Sequence, residues 1–243
     1  MFFLYFLASF GLASFGLASV AWADENPEQH LLQAQMRMER RDYEKSTEIL
    51  NHLMRVHNGS PEAVEAKFLM ADIFFQKQEW PTARIYYQQF LKDHPSHPKA
   101  AKALLRVGET HEKDAPNDTG RDQRATQAAI NIWNQFLLRY PESEYRQEVE
   151  ANILQGKEKL AQKELDVAIF YSKKEKWESV RRRTEFLLQT YPGSSFVPKA
   201  LLLNTLSYVF LGQSDIASAK RETLSTLAPE LIETLEARIM KGR

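Results

Sequence analysis

The stretch Ala71–Pro95, ADIFFQKQEWPTARIYYQQFLKDHP, decides the fold. Three marks stand at set distances before its proline: the small residue Ala71, the small residue Ala83 and the large apolar Phe90. Pro95 closes the unit, because proline has no N–H with which to continue a helix. The same marks recur before Asn58 (followed by Gly59 and Pro61), Pro141, Pro192 and Pro229. Ala34, Ala168 and Thr205 match Ala71, and Ser46, Ala129, Val180 and Ala217 match Ala83. Leu53, Phe136, Leu187 and Leu224 match Phe90. Small residues let two helices approach closely, and large ones fill the space beside the crossing. Aromatics follow the first small residue at Phe74, Tyr171 and Tyr208, while Tyr43, Trp80 and Trp177 are expected in the turn between paired helices.

A small–small–large–proline unit of about 34 residues is the signature of a tetratricopeptide helix pair. The predicted fold class is therefore all-α, a tetratricopeptide-like superhelical solenoid of about five helix pairs. The intervals between turn signals are 37, 46, 51 and 37 residues. The first long interval is explained by a turn-rich insertion, Lys113–Arg121, because Val107-Gly108-x-x-His111 keeps the first-helix pattern upstream of it. The second falls on Ser143–Lys174, which holds Gly156 but no proline and reads as one long helix or two nearly fused ones. The expected organisation is a leader at 1–23 and repeats 1–2 with the first helix of repeat 3 at 24–113. A loop at 114–121 and C-terminal repeats 3–5 at 122–243 complete it.

Composition narrows the function. The 243 residues carry 32 Lys+Arg against 32 Asp+Glu, so the chain lacks the net basic field of a nucleic-acid binder. Cysteine is absent, which excludes disulfides, thiolate metal sites and a Cys nucleophile. Met1–Ala23 carries no charge, and Ala21-x-Ala23 is a small-residue cleavage signal. Export with cleavage after Ala23 is expected, an uncleaved apolar anchor being the alternative. Since no Lys or Arg precedes the apolar run, translation is expected to start further upstream.

Stacked repeats leave a concave face lined by first helices. From the repeat phase, its candidates are Phe68, Asp72 and Phe75 in the second pair and Leu105, Glu109 and Glu112 in the third. Aromatic and acidic residues together suit an extended or helical peptide; Phe68 and Phe75 fit equally as core between repeats. No phosphate-loop, nucleophile-elbow or zinc-protease motif occurs, so no catalysis, cofactor or metal site is expected. His94 and His97 are interrupted by Pro95 and Pro98 and read as loop residues. Arg181-Arg182-Arg183 is the densest basic run, either a solvated helix face with glutamate partners or a contact for an acidic protein surface.

Arg139-Tyr-Pro-Glu-Ser-Glu-Tyr145 resembles the R-Y-P-x-S-x-Y of the outer-membrane assembly lipoprotein family, BamD (also called ComL or YfiO). Leu160–Tyr171 is similar to that family's L-A-x-x-E-x-x-V-A-x-x-Y, and Arg121-Asp122, Trp177 and Tyr191-Pro192 fall at matching places. The resemblance is specific from about Arg121 to Pro192 and merely repeat-like elsewhere. It implies a non-catalytic subunit of the β-barrel assembly machinery at the periplasmic face of the outer membrane. Its C-terminal half would bind the POTRA domains of a BamA-like insertase, and its N-terminal repeats would receive unfolded outer-membrane proteins. Arg183, six residues after Trp177, stands where the family places an arginine that meets an acidic POTRA residue, with Arg182 beside it. The family's lipidated cysteine has no counterpart here, so membrane association is expected through the partner or the N-terminal segment. A generic periplasmic tetratricopeptide adaptor is the competing reading.

Overall fold

The computed structural model describes residues 26–242, and the expected cleavage residues Ala21 and Ala23 lie outside them. The described residues form five antiparallel helix pairs. These are α1 (Pro27–Glu39) with α2 (Tyr43–Val56), α3 (Pro61–Gln76) with α4 (Trp80–Asp93), and α5 (Ala100–Asp114) with α6 (Arg124–Arg139). Then come α7 (Arg146–Ser172) with α8 (Trp177–Thr190) and α9 (Val197–Phe210) with α10 (Ser214–Leu227). A short 3-10 turn, Pro229–Leu231, leads into an eleventh helix, α11 (Ile232–Lys241). Each helix packs on the next in chain order, as a solenoid requires.

The repeat marks are the packing sites. Ala34, Ala71, Ala83, Ala129, Ala168 and Val180 are fully buried, as are Leu53, Phe136, Leu187 and Leu224. At the first crossing the helices touch closely enough for the Ser46 hydroxyl to donate to the Ala34 carbonyl at 2.8 Å. In the third pair the small position is Gly108, and a Cβ there would lie 2.1 Å from the Trp133 indole. That indole donates to the Leu105 carbonyl at 3.4 Å, which locks α6 onto α5.

The turns inside the pairs share one geometry. Arg41, Gln78 and Glu175 lie at φ 60, 61 and 55°, and Gly212 at 72°. The next N–H in each case closes back on the helix, from Asp42 to Arg37 at 2.9 Å and from Glu79 to Phe74 at 3.0 Å. This is the left-handed cap that satisfies the last carbonyls of a helix. Tyr43, Trp80 and Trp177 are consequently not turn residues, as sequence spacing suggested, but the first residues of α2, α4 and α8. Three of the four left-handed positions hold Arg, Gln and Glu, residues without a glycine's turn signal, which is why the boundary was misplaced.

The third pair has a loop instead of this cap. It spans 115–123 rather than 114–121, because α5 continues through Asp114 and Gln123 belongs to the loop. The Gln123 amide donates to the carbonyls of Pro116 and Asp118 at 3.1 and 2.9 Å, so the loop is tied from within. Thr119 donates to Asp166 of α7 at 2.7 Å and pins the loop across the repeat boundary.

The long segment is a single helix, α7, of 27 residues. Its first half contributes Val149, Ile153 and Leu160 to the core made with α5 and α6. Its second half contributes Ala161, Leu165 and Ala168 to the core made with α8, α9 and α10. One helix of about 40 Å thus joins two cores that shorter helices would leave separate. The five-pair pattern did not include α11. It buries Leu235, and Arg221 of α10 bonds Glu236. It packs against α9 and α10 and covers the open side of the last pair, the task of a capping element in a stacked array.

Two substitutions test the packing phase. Gly108→Ala is expected to cost about 1–3 kcal/mol by overpacking against Trp133, lowering the melting temperature by several degrees. Ala168→Trp, at a fully buried crossing, is expected to do more damage. Wild-type melting of both variants in a circular-dichroism scan would contradict the phase.

Candidate functional site

Two surfaces gather the candidate residues. The first is a polar seam where α3, α5 and α7, the leading helices of successive pairs, come together. Asp72 and Phe75 reach it from α3, and Glu109 and Glu112 from α5. Their hub is Arg106, which the sequence reading did not single out. Its guanidinium lies 4.5 Å from the Phe75 ring centroid and its Nη1 donates to Glu109 at 2.7 Å. The Tyr87 hydroxyl of α4 donates to Asp72. Glu112 continues the seam by accepting from Lys159 of α7 at 3.0 Å. The available clue was the i, i+3 and i, i+4 spacing of Lys102, Arg106 and Glu109 on one helix face.

Phe68 and Leu105 do not face this seam, contrary to the groove assignment. Phe68 is 1% exposed and packs edge-on against Tyr87 and Phe90, at 5.7 and 5.4 Å. Leu105 is 3% exposed and sits under Trp133. The helical period puts Phe68 and Leu105 on the same stripe as Asp72 and Glu109, one turn earlier; what differs is the cover, Tyr87 and Phe90 over Phe68 and Trp133 over Leu105.

Burial raises the carboxyl pKa of Asp72 above its ordinary value, opposed by the Tyr87 hydrogen bond and the charges of Lys102 and Arg106. Burial likewise raises Glu109, opposed by Arg106. Burial and the neighbouring Asp72 push the Tyr87 hydroxyl far up, so it remains a proton donor at every physiological pH. The seam therefore holds half-buried carboxyl groups around one stacked arginine. Such a floor can read charge and aromatic side chains on a peptide. Among the described residues, no group of three or more His, Cys, Asp or Glu side chains is placed to hold a metal ion. His94 and His97 instead flank the Phe90 ring at 5.6 and 5.2 Å.

The second surface lies on α8 and the end of α7. Tyr171, Ser179, Arg182, Arg183 and Phe186 line a cleft there. Phe170 and Phe186 are large apolar side chains left exposed beside it. The three consecutive arginines fare differently. Arg181 is engaged by Glu178 and by Glu185, the latter at 3.0 Å, and Glu185 also accepts from Tyr208. Arg182 is exposed and makes no ion pair among the described residues. Arg183 donates to Glu164 of α7 at 3.0 Å and remains 47% exposed.

The raised pKa of Asp72 gives a signed prediction. A carboxyl whose folded pKa exceeds its unfolded one contributes stability that is present at low pH and lost as pH rises through the folded pKa. Asp72→Asn is therefore expected to melt above the wild type at pH 7. The gain should shrink below about pH 4, where the unfolded carboxyl is itself protonated. A difference independent of pH would contradict this.

A family model described as "Outer membrane lipoprotein", YfiO, matches residues 23–224. An outer membrane protein assembly factor BamD from Xylella fastidiosa (strain 9a5c) is 34% identical over 110 residues, 45% of this chain and 38% of that protein. The chain thus spans well under half the length of that relative. BamD of Neisseria meningitidis serogroup A is 23% identical over 216 residues, covering 85% of this chain and 81% of its own. BamD of Vibrio cholerae is 27% identical over 146 residues, 56% and 61% respectively. Among solved structures, the TPR2AB domain of yeast Sti1 in complex with pHSP90 is similar at TM-score 0.49 and 12% identity, covering 88% of this chain and 84% of that one. With the family model matching most of its length and tetratricopeptide pairs throughout the described residues, the chain belongs to the YfiO outer membrane lipoprotein family.

Proposed function

We propose that this protein is a non-catalytic subunit of the machinery that assembles β-barrel proteins into the outer membrane, working at its periplasmic face. The α8 surface docks on the POTRA domains of a BamA-like insertase, and the α3–α5–α7 seam receives unfolded outer-membrane protein substrates. The observation that carries the reading is Arg183, half exposed in an open cleft beside Phe186. Arginine is among the residues enriched where protein interfaces concentrate their energy, and the exposed Phe186 beside it offers apolar area. Family membership and the assembly-factor names of the relatives support the role.

The seam supports the second half of the reading. Phe75 supplies an apolar contact, and Arg106, Asp72 and Glu109 supply charges that fix register on an extended chain. No helix among the described residues is long and apolar enough to cross a membrane. Attachment is assigned to the docked partner or to the N-terminal segment, and either one raises the effective concentration at the membrane.

Affinity capture of the tagged protein from detergent-solubilised envelopes tests the role. A POTRA-bearing barrel protein is expected in stoichiometric amount. Arg183→Glu is expected to reduce that capture at least tenfold, since it sets like charges against an acidic partner surface. The variant should keep wild-type helicity. Recovery of a different envelope complex would favour the adaptor reading, and unchanged capture by Arg183→Glu would remove this residue from the interface.

A further inference from the structure

Arg183 does not hang loose from α8. Its Nη1 donates to Glu164 Oε2 on α7 at 3.0 Å. The two partners are unequally exposed, 47% for the Arg183 side chain and 11% for that of Glu164. Along α7, Glu164 is flanked by the buried Ala161, Leu165 and Ala168, and its charge is felt by the Tyr191 hydroxyl at the end of α8. A carboxylate in that setting loses its counter-ion only at high cost. The other N–H groups of Arg183 make no hydrogen bond within the described residues. A guanidinium offers five donors in a planar fork, so one edge can be anchored while another stays open.

The neighbouring arginines sharpen the contrast. Arg181 has glutamates on both sides, Glu178 and Glu185, and is saturated by its own helix. Arg182 is exposed without an ion-pair partner among the described residues, so docking would have to immobilise a long, freely rotating side chain. Of the three, Arg183 alone is both held and open.

We propose that Glu164 is a positioning residue for partner docking. It holds Arg183 by one edge of the guanidinium and aims the other at a carboxylate on the acidic face of the partner. Glu164 keeps this bond when the partner is bound, because an exchange of partners would strand a buried carboxylate. Its contribution is preorganisation: the arginine is ordered before the encounter, so less rotamer entropy is lost in it. Glu164 itself never touches the partner. This rests on the docking role proposed above for the α8 surface.

The test is a double-mutant cycle read by calorimetric titration of the full chain with a purified POTRA-domain fragment of its own organism's insertase. Glu164→Gln is expected to weaken binding about tenfold, and to have no further effect once Arg183→Ala is present. Arg183→Lys keeps the charge at an exposed position but replaces the fork with a point charge, and is expected to lose a similar factor. Binding unaffected by Glu164→Gln, while Arg183→Ala weakens it, would overturn the positioning role and leave the docking surface intact. A Glu164→Gln loss that persists in the Arg183→Ala background would mark a general structural defect and overturn it equally. Should Glu164→Gln fail to fold, Arg183→Lys decides: full affinity with lysine would mean that two-edged geometry is irrelevant. If Arg183→Ala has no effect, the docking role fails and this inference falls with it.

Discussion

Everything in this molecule depends on how closely two helices of a pair can approach. At the first crossing a serine hydroxyl reaches the carbonyl of the facing helix, Ser46 to Ala34 at 2.8 Å. At the third, a glycine leaves room for an indole. These contacts exist only because the crossing residues are small, and they set the distance at which Leu53, Phe90, Phe136, Leu187 and Leu224 fill the remaining space. Burying each such side chain contributes about 1.5–3 kcal/mol, and the pattern repeats in every pair. The solenoid is the accumulated result of that local geometry.

Repetition alone would give a uniform rod, and two departures make this chain particular. The 115–123 loop replaces the compact left-handed cap in the third pair, and Thr119 fastens it to Asp166. The long α7 then serves two cores. Its stretch from Lys159 to Asp166 receives Glu112 of α5, Thr119 of the loop and Arg183 of α8. The N-terminal seam and the C-terminal cleft are therefore mounted on the same rigid element. In the function proposed above, handing an unfolded chain toward a docked partner would gain from such a fixed spacing between the two surfaces.

Both surfaces show how charge is made specific at a protein face. In the seam, Arg106 is stacked on Phe75 and bonded to Glu109, so it cannot wander. In the cleft, Glu164 restrains Arg183 while leaving it half exposed. In each case a partly buried carboxylate orders the cation. In the roles proposed above, these pairs orient the two arginines for a partner.

The sequence by itself determined the helix pairs and the positions of closest approach, and it left the long segment as one helix or two nearly fused ones. Those features are periodic, and periodicity is local: Ala71, Ala83 and Phe90 announce a crossing from their spacing before Pro95 alone. It also carried the family motif between Arg121 and Pro192. Only the tertiary structure decided which of the groove candidates reach the seam and which are covered. Phe68 and Leu105 are covered by neighbouring rings, while Asp72 and Phe75 of α3 meet Arg106 of the next repeat, which also bonds Glu109 on its own helix. Likewise Glu164 and Arg183 are nineteen residues apart and on different helices. Their pairing depends on the rotation and offset of α8 against α7, which are set by the packing of Ala168 and Val180 and of the helices beyond them. A one-dimensional pattern states that two faces meet; the rotation at which they meet comes from the whole core.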